Sequence, residues 1–177
     1  MKEYDFALVA SYDKNINDDV FLELTNSIYE SGADDSTVMN KGNTVLIEFN
    51  REAVSYEQAV ISAIKDVNKV VGLTVKSVDA GQYVGLSDAA ELSNLTRSAL
   101  SKFAKGNRGD GTFPSPYLRL ISKTPLYDWY EVANWLEQRN LIEQGIADNA
   151  RVTSNINVAL KLKHGELKEV SRLAMAI

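Results

Sequence analysis

The hydrophobic and polar positions of residues 1–80 alternate in blocks whose lengths suit short strands and helices. Residues 3–12 show the period-two pattern of a half-buried strand, with one face made of Tyr4, Phe6, Leu8, Ala10 and Tyr12. Asn17 then predicts the N-cap of a helix, whose apolar residues follow at helical spacing and which Gly32 ends. Residues 36–41 and 43–50 predict a hairpin around Lys41-Gly42-Asn43.

The same half of the chain continues with one more helix and one more strand. Ser55, with Gln58 three positions later, is typical of a capping box and opens a helix with an apolar stripe. A last strand is predicted over residues 73–78. The element order is therefore β-α-β-β-α-β, which indicates a ferredoxin-like domain over residues 1–80 and the α+β class for the chain.

A second pattern, over residues 87–106, predicts a helix-turn-helix. Ala90 is small where two helices would cross, Asn94 tolerates the positive φ that the turn needs, and Thr96 can cap the second helix. Leu100 and Phe103 fall on one face of that helix. The opposite face is polar and basic, as reading a major groove requires.

The residues after this pattern predict a small winged domain over residues 81–139. Residues 106–112 are rich in turn formers and read as a flexible connection, and residues 117–121 and 126–129 predict a hairpin, the wing. A helix from about residue 130 follows, and Trp129 and Trp135 are expected in its core. Residues 140–177 predict a helical tail, broken near residues 153–157 and at His164-Gly165, that ends in an apolar stripe of Leu167, Val170, Leu173 and Ala174.

Charge is distributed unevenly along the chain. The formal net charge is −5, but residues 1–95 carry −9, residues 96–124 carry +5 and residues 125–177 carry −1. Asp110 is the sole acidic residue of the basic segment 96–124. Phosphate contacts depend on local potential, so a basic segment on an acidic protein can still bind DNA.

Composition argues against several other classes of protein. The chain is 45% hydrophobic and 24% charged, with no apolar run of membrane length and no apolar signal core, so we expect a cytoplasmic protein. It has no cysteine and one histidine, His164, and neither a metal site nor a cofactor is predicted. Asp34-Asp35 is interpreted as a solvated loop. Catalysis therefore finds little support, and we expect no enzyme.

RNA binding by residues 1–80 is also disfavoured. RNA-recognition domains share the predicted element order, but they stack bases on exposed aromatic side chains of the central strands. Residues 43–49 carry aliphatic side chains where such a platform would need aromatic rings, and this half of the chain is acidic. The alternatives that stay open for residues 1–80 are dimerisation, sensing of a small ligand and contact with another protein.

Four segments carry a resemblance to a known class of regulator. They are Val84-Gly85-Leu86-Ser87-Asp88-Ala89-Ala90, Phe113-Pro114-Ser115-Pro116, Leu126-Tyr127-Asp128-Trp129 and Glu131-Val132-Ala133-Asn134-Trp135-Leu136. Through them, residues 84–139 resemble the winged helix-turn-helix domains of MerR-type and phage excisionase-type regulators. The whole chain also resembles bacterial proteins that join an amino-terminal α+β domain to this module.

The resemblance implies major-groove reading by Arg97, Ser98, Ser101 and Lys102, and wing contacts near Arg119 and Lys123. The tail is shorter and more interrupted than the long dimerisation helix of a MerR activator, and an excisionase lacks the amino-terminal domain. DNA binding is thus implied, whereas activator or excision roles are not.

The sequence therefore predicts a transcriptional regulator that binds double-stranded DNA, as a homodimer, because two-fold operators match two-fold proteins. An antitoxin-like or adaptor protein, whose amino-terminal domain binds a protein partner and whose DNA binding is secondary, is the alternative. The residues predicted to contact DNA are Thr96, Arg97, Ser98, Ser101, Lys102, Lys105, Asn107, Arg108, Arg119 and Lys123.

Overall fold

The computed structural model describes residues 1–79, 81–163 and 167–177. Within these ranges the protein is mixed α+β, with seven helices and a four-stranded antiparallel sheet. The chain divides into two compact units, residues 1–79 with 155–177 and residues 80–154. None of the described helices is long and apolar enough to cross a lipid bilayer.

The first unit is built on the sheet. Its elements are β1 (Lys2–Tyr12), α1 (Asp18–Glu30), β2 (Ser36–Lys41), β3 (Thr44–Ala53), α2 (Tyr56–Val67) and β4 (Leu73–Asp79). The strand order is β2-β3-β1-β4, and every neighbouring pair is antiparallel. The predicted element order of this part of the chain is therefore confirmed.

Local signals in the sequence account for these elements. Asn17 caps α1 by accepting a hydrogen bond from the Val20 N–H at 2.9 Å, and Ser55 caps α2 by accepting one from the Gln58 N–H at 3.2 Å. The inward positions of β1 and β3 pair directly, so that Phe6 stacks on Phe49 with ring centroids 5.2 Å apart. These apolar positions form one core with α1 and α2.

Arg51 lies on the inward face of β3, two residues after Phe49, and is 7% exposed. Its guanidinium donates to Asp35 through Nε at 2.7 Å and through Nη2 at 2.8 Å, and to Asp66 through Nη1 at 2.9 Å. The Ser62 hydroxyl and the Gly32 carbonyl accept its remaining bonds, each at 3.0 Å. The interpretation of Asp35 as a solvated loop residue is therefore wrong, because the folded sheet brings this buried cation against it.

The second unit contains the remaining short elements. These are β5 (Tyr83–Val84), α3 (Leu86–Ser93), α4 (Arg97–Ala104), β6 (Tyr127–Asp128), α5 (Trp129–Glu137) and the start of α6 (Ile146–Lys161). Trp129 and Trp135 are buried in its core, as predicted. Strand β6 pairs with β5, a strand that local patterning does not reveal because it has two residues and its partner lies more than forty positions away.

The predicted hairpin of residues 117–121 and 126–129 is shorter than expected. A single bridge joins Leu118 to Leu126, with the Leu126 N–H donating to the Leu118 carbonyl at 3.0 Å. Residues 127–128 pair with β5 instead, and Trp129 already belongs to α5. Aromatic and aliphatic residues favour strands, but here the competing partner strand and the Asp128 cap decide the structure.

The tail also differs from its prediction. Helix α6 is continuous through residues 153–157, so the break expected there is wrong, because residues 153 and 160 are buried on its packed face. Ala147 and Ala150 join the core of the second unit, and Leu160 joins that of the first. The predicted break at His164-Gly165 lies outside the described residues. A final helix, α7 (Leu167–Ala174), has no buried residue.

Candidate nucleic-acid interface

Helices α3 and α4 are joined by three residues in the conformation that the sequence predicts. Asn94 has a φ of 53°, in the left-handed region where Asn is tolerated, and the Leu95 N–H donates to the Ala90 carbonyl at 3.0 Å. Thr96 caps α4, because its hydroxyl oxygen accepts a hydrogen bond from the Ala99 N–H at 3.1 Å. Ala90 is buried between the helices, and Leu95 is half-buried. The turn is thus held by its own backbone and cap.

Helix α4 presents one apolar and one polar face. Leu100 and Phe103 are buried, and the Phe103 ring meets the Trp135 ring of α5 edge to face at 5.1 Å. Most of the predicted contact residues on the other face are exposed, with Ser101 half-buried; they are Thr96, Arg97, Ser98, Ser101, Lys102 and Lys105. The helix is therefore anchored by its apolar side and open on its basic side.

The cations of this face keep their charge available. Within residues 1–79, 81–163 and 167–177, none of Arg97, Lys102 and Lys105 forms an ion pair with an acidic side chain. Thr96 differs, since its hydroxyl oxygen already accepts the cap hydrogen bond, although its hydrogen is still free to donate. The charged positions of α4 therefore fit an interface with an anion, and Thr96 fits a structural role as well.

The glycine-rich loop after α4 contacts the end of that helix and the aromatic core. Gly106 has a φ of 69° and ends the helix, and the Asn107 N–H donates to the Lys102 carbonyl at 2.9 Å. Asn107 and Arg108 are exposed, and the Arg108 guanidinium lies over the Phe103 ring at 4.9 Å. The flexibility of this connection stays a prediction, and the structure adds its contacts with the helix end and the aromatic core.

Asp110, the acidic residue of the basic segment, is paired with a cation from outside that segment. Its carboxylate accepts hydrogen bonds from the Thr112 hydroxyl at 2.6 Å and from Arg139 Nη2 at 2.6 Å, and these two contacts, Thr112 first, hold the pKa of Asp110 well below its usual range. Arg139 also stacks on the Trp135 ring at 3.9 Å. The negative charge of Asp110 is therefore compensated and does not oppose the cations of α4.

Sequence reasoning missed this cluster of Asp110, Thr112, Trp135 and Arg139. The indole N–H of Trp135 donates to the Thr112 hydroxyl at 3.0 Å, and Arg139 Nη2 donates to the same oxygen at 2.8 Å. The only local signal is the four-residue spacing of Trp135 and Arg139, which places them on one face of a helical segment. The contacts of Trp135 with Thr112 and of Arg139 with Asp110 join residues 23 and 29 positions apart, and no local pattern in the sequence predicts them.

The wing positions lie on a tight turn beyond the Leu118–Leu126 bridge. The Ser122 N–H donates to the Arg119 carbonyl at 2.8 Å, which closes a turn of four residues. Arg119, the first residue of the turn, and Lys123, the residue after it, are exposed, and Arg119 Nη2 donates to the Ser122 hydroxyl at 3.3 Å. Both predicted wing cations are therefore accessible.

One aromatic cluster connects α4 with the base of the wing. The Phe113 ring lies 6.3 Å from Phe103 of α4, 5.2 Å from Trp135 of α5 and 5.9 Å from Tyr127 of β6. Ring pairs at these separations attract beyond their buried area. The two groups of predicted contact residues, on α4 and on the wing, are thus supported by the same core.

Comparison with family models, with curated proteins and with solved structures finds no match to this chain. The described residues also contain no group of three or more His, Cys, Asp or Glu side chains placed to hold a metal ion.

Proposed function

We propose that this protein is a sequence-specific transcriptional regulator of bacterial type that binds double-stranded DNA in the cytoplasm. The single observation that carries the proposal is the exposed, basic and unpaired face of α4, anchored from behind by Leu100 and Phe103. In this proposal the first unit is a ferredoxin-like domain, and the second is a winged helix-turn-helix of the MerR and excisionase type. The strand order β2-β3-β1-β4 supports the first assignment.

The dimensions of α4 suit the major groove. The groove is about 12 Å wide and accepts an α-helix. At about 1.5 Å per residue, the eight residues of α4 span about 12 Å, the length of three to four base pairs. Arg97 and Ser98 lie in its first turn, the part of a recognition helix that reaches base edges. Lys102 and Lys105 follow toward its end, where contacts with phosphates are expected.

The exposed face of α7 supports a homodimer as part of this proposal. Leu167, Val170 and Leu173 follow each other at helical spacing and are exposed, while Lys168 and Arg172 occupy other positions of the helix. An amphipathic helix gains stability only when its apolar face is covered. The same observation favours the second candidate, an antitoxin-like or adaptor protein, in which a different protein covers α7.

Fluorescence anisotropy with the full chain tests the DNA-binding proposal. The probe is a labelled duplex of about 30 base pairs with a randomised centre, measured at about 50 mM salt and upward. We expect binding whose affinity falls steeply with salt. The double variant Arg97→Ala with Lys102→Ala should bind more weakly. A lost base contact should cost about 1–3 kcal/mol of binding free energy, and each lost phosphate contact should lower the slope of log affinity against log salt by about 0.9.

The matched control removes the same charge from the first unit. Lys65 and Lys76 are exposed and lie on α2 and β4, so Lys65→Ala with Lys76→Ala should leave the affinity and the salt slope unchanged. Absence of binding at low salt would contradict the proposal. So would equal losses in the two double variants, since the attraction would then depend on total charge and not on α4.

The second candidate is distinguished by the state of the purified chain. Light scattering of the full chain should show a dimer, and Val170→Glu, which places a charge on the exposed apolar face of α7, should convert it to a monomer. A stoichiometric partner that copurifies with the wild-type chain and is lost from Val170→Glu would instead support the adaptor.

A further inference from the structure

One face of the sheet in the first unit packs against α1 and α2, and the opposite face is accessible. The inward positions of the strands belong to the core, whereas every outward position of β1 and β3 is exposed or half-buried. The strand register places three apolar outward residues side by side, with Leu46 of β3 between Met39 of β2 and Val9 of β1. We call these three residues the apolar row. Because neighbouring strands lie about 4.8 Å apart, the row crosses about 10 Å of the sheet.

Charges of opposite sign border the apolar row. On one side, the next outward residue of β2 is Lys41, whose register partner is Thr44. On the other side, Glu48 of β3 and Asp79 of β4 lie beside Ala7 of β1. In the part of the chain that the structure describes, none of Lys41, Glu48 and Asp79 forms an ion pair. The open face is therefore apolar in the middle, positive on one border and negative on the other.

Helix α7 carries the complementary pattern. Leu167, Val170 and Leu173 form an exposed apolar stripe, and no residue of this helix is buried. At about 1.5 Å per residue the stripe extends over about 9 Å, which matches the length of the apolar row. At about 100° per residue, Glu169 borders the stripe next to Leu173, and Lys168 borders it on the other side. The helix thus has an apolar centre between one negative and one positive border.

We propose that α7 of one copy packs along the apolar row of a second copy, in a reciprocal exchange that forms the homodimer. The proposal rests on the homodimer of the function proposed above and names its interface. The charges select the orientation in which Glu169 approaches Lys41 of the other copy. Lys168 then lies toward Glu48 and Asp79. Each chain offers one such helix and one such sheet face, so two equal contacts close around a two-fold axis.

Direct stacking of two open sheet faces is disfavoured by their charge. Glu3 and Glu52 are register partners, and like charges directly opposite each other already destabilise a sheet. A second sheet face would add the same set of acidic residues to those already there. The outward acidic residues of the sheet are Glu3, Asp5, Glu48, Glu52 and Asp79. A helix that carries both signs beside an apolar stripe therefore fits this face better than a second sheet does.

Disulfide trapping tests the contact directly, because the chain has no cysteine of its own. Leu46→Cys places a thiol at the centre of the apolar row, and Val170→Cys places one at the centre of the α7 stripe. The two variants, one of them tagged, are mixed, left to exchange subunits and oxidised mildly. The mixed dimer should form about tenfold faster than with the control pair Val71→Cys and Val170→Cys, because Val71 is exposed in the loop before β4.

The other products identify the competing arrangements, and each of them overturns the proposal. Rapid linkage of Val170→Cys to itself means that two α7 helices pair, and rapid linkage of Leu46→Cys to itself means that two sheet faces stack. A disulfide within one chain of the doubly substituted protein means that α7 covers its own sheet. Mixed linkage no faster than that of the control pair overturns the contact as well.

Sedimentation of Leu46→Lys gives an independent measurement. A charge in the apolar row should raise the dissociation constant of the dimer at least about tenfold, whereas Val54→Lys, at an exposed position after β3, should leave it unchanged. An unchanged constant for Leu46→Lys overturns the interface. Anisotropy of the wild-type chain with duplex DNA is measured separately, so absence of DNA binding overturns the proposed regulator while the disulfide result still decides the contact between copies.

Discussion

Removal of the Arg51 guanidinium is the most informative perturbation of the first unit. Arg51 is surrounded by Asp35, Asp66, the Ser62 hydroxyl and the Gly32 carbonyl, and all five of its N–H groups are used. The hydrogen bonds to Asp35 are the largest contribution to the raised pKa of Arg51. Methionine keeps most of the volume of the side chain and removes the charge and every donor. Arg51→Met therefore leaves the carboxylates of Asp35 and Asp66 without their cation from β3.

The magnitude follows from the burial of the three charges. Breaking a fully buried ion pair by removing one partner costs about 3–5 kcal/mol. The side chains of Asp35 and Asp66 are 28% and 19% exposed, so water can partly replace the lost donors, and Lys69 still pairs with Asp66 at 2.7 Å. We therefore expect Arg51→Met to lower the free energy of unfolding of the first unit by about 2–4 kcal/mol.

Urea unfolding followed by circular dichroism measures this change, and the fluorescence of Trp129 and Trp135 reports on the second unit in the same samples. Arg172→Met is the matched control, because Arg172 lies in the same unit and pairs with Glu169 on the exposed surface of α7, where an ion pair contributes little. A loss for Arg51→Met no larger than that of the control would refute the reasoning.

Three further predictions concern single contacts. Asn94→Val should destabilise the second unit by about 1–2 kcal/mol because a β-branched residue is strained at a φ of 53°, whereas Asn94→Gly should be nearly neutral in urea unfolding followed by tryptophan fluorescence. Folding lowers the pKa of the Asp110 carboxyl, so this group stabilises the folded state above about pH 4, and its contribution is lost as the pH falls further. Asp110→Asn removes this contribution and should therefore lose less stability on acidification, which urea midpoints at several pH values check. Asn157→Leu should lower the free energy of unfolding of the first unit by about 1–3 kcal/mol, because the Asn157 amide accepts from the N–H of Val78 on β4 and donates to its carbonyl. Faster hydrogen exchange of the Val78 amide would report the loss.

The parts of the fold that the sequence predicts are those whose causes lie within a few residues. Asn17, Thr96 and Asn94 act on the backbone three positions away or on their own φ angle, so each is visible in a short window. The period-two pattern of β1 and β3 is equally local, because alternate residues in the middle of both strands are buried on one face of the sheet. These signals suffice for the strands and helices of residues 1–79 and for the pair α3 and α4.

The missed features depend on contacts between distant parts of the chain. Two-residue strands such as β5 have no periodicity to detect, and the ion pair of Asp110 with Arg139 spans 29 residues. The sequence does carry one indication of the Arg51 cluster, because Arg51 falls on the same face of β3 as Val45, Ile47 and Phe49. A buried arginine needs acidic partners. Which acids these are depends on the packed sheet and helices, so Asp35 and Asp66 follow only from the structure.

The predicted contact residues divide in the same way. Arg97, Ser98, Lys102 and Lys105 are exposed where helical spacing places them, because the buried Leu100 and Phe103 fix the rotation of α4. The wing is different, since its length is decided by the competition between the Leu118–Leu126 bridge and the pairing of β6 with β5. Its exposed tip is consequently a feature of the tertiary structure.

Selection of bound duplexes from a random DNA library with the full chain tests the central claim most directly. The account predicts enrichment of a defined sequence, arranged as two half-sites about one helical turn apart if the protein is a homodimer. The enrichment should disappear with Arg97→Ala and Lys102→Ala. A library that emerges from repeated rounds with no preferred sequence would contradict sequence-specific DNA binding by α4.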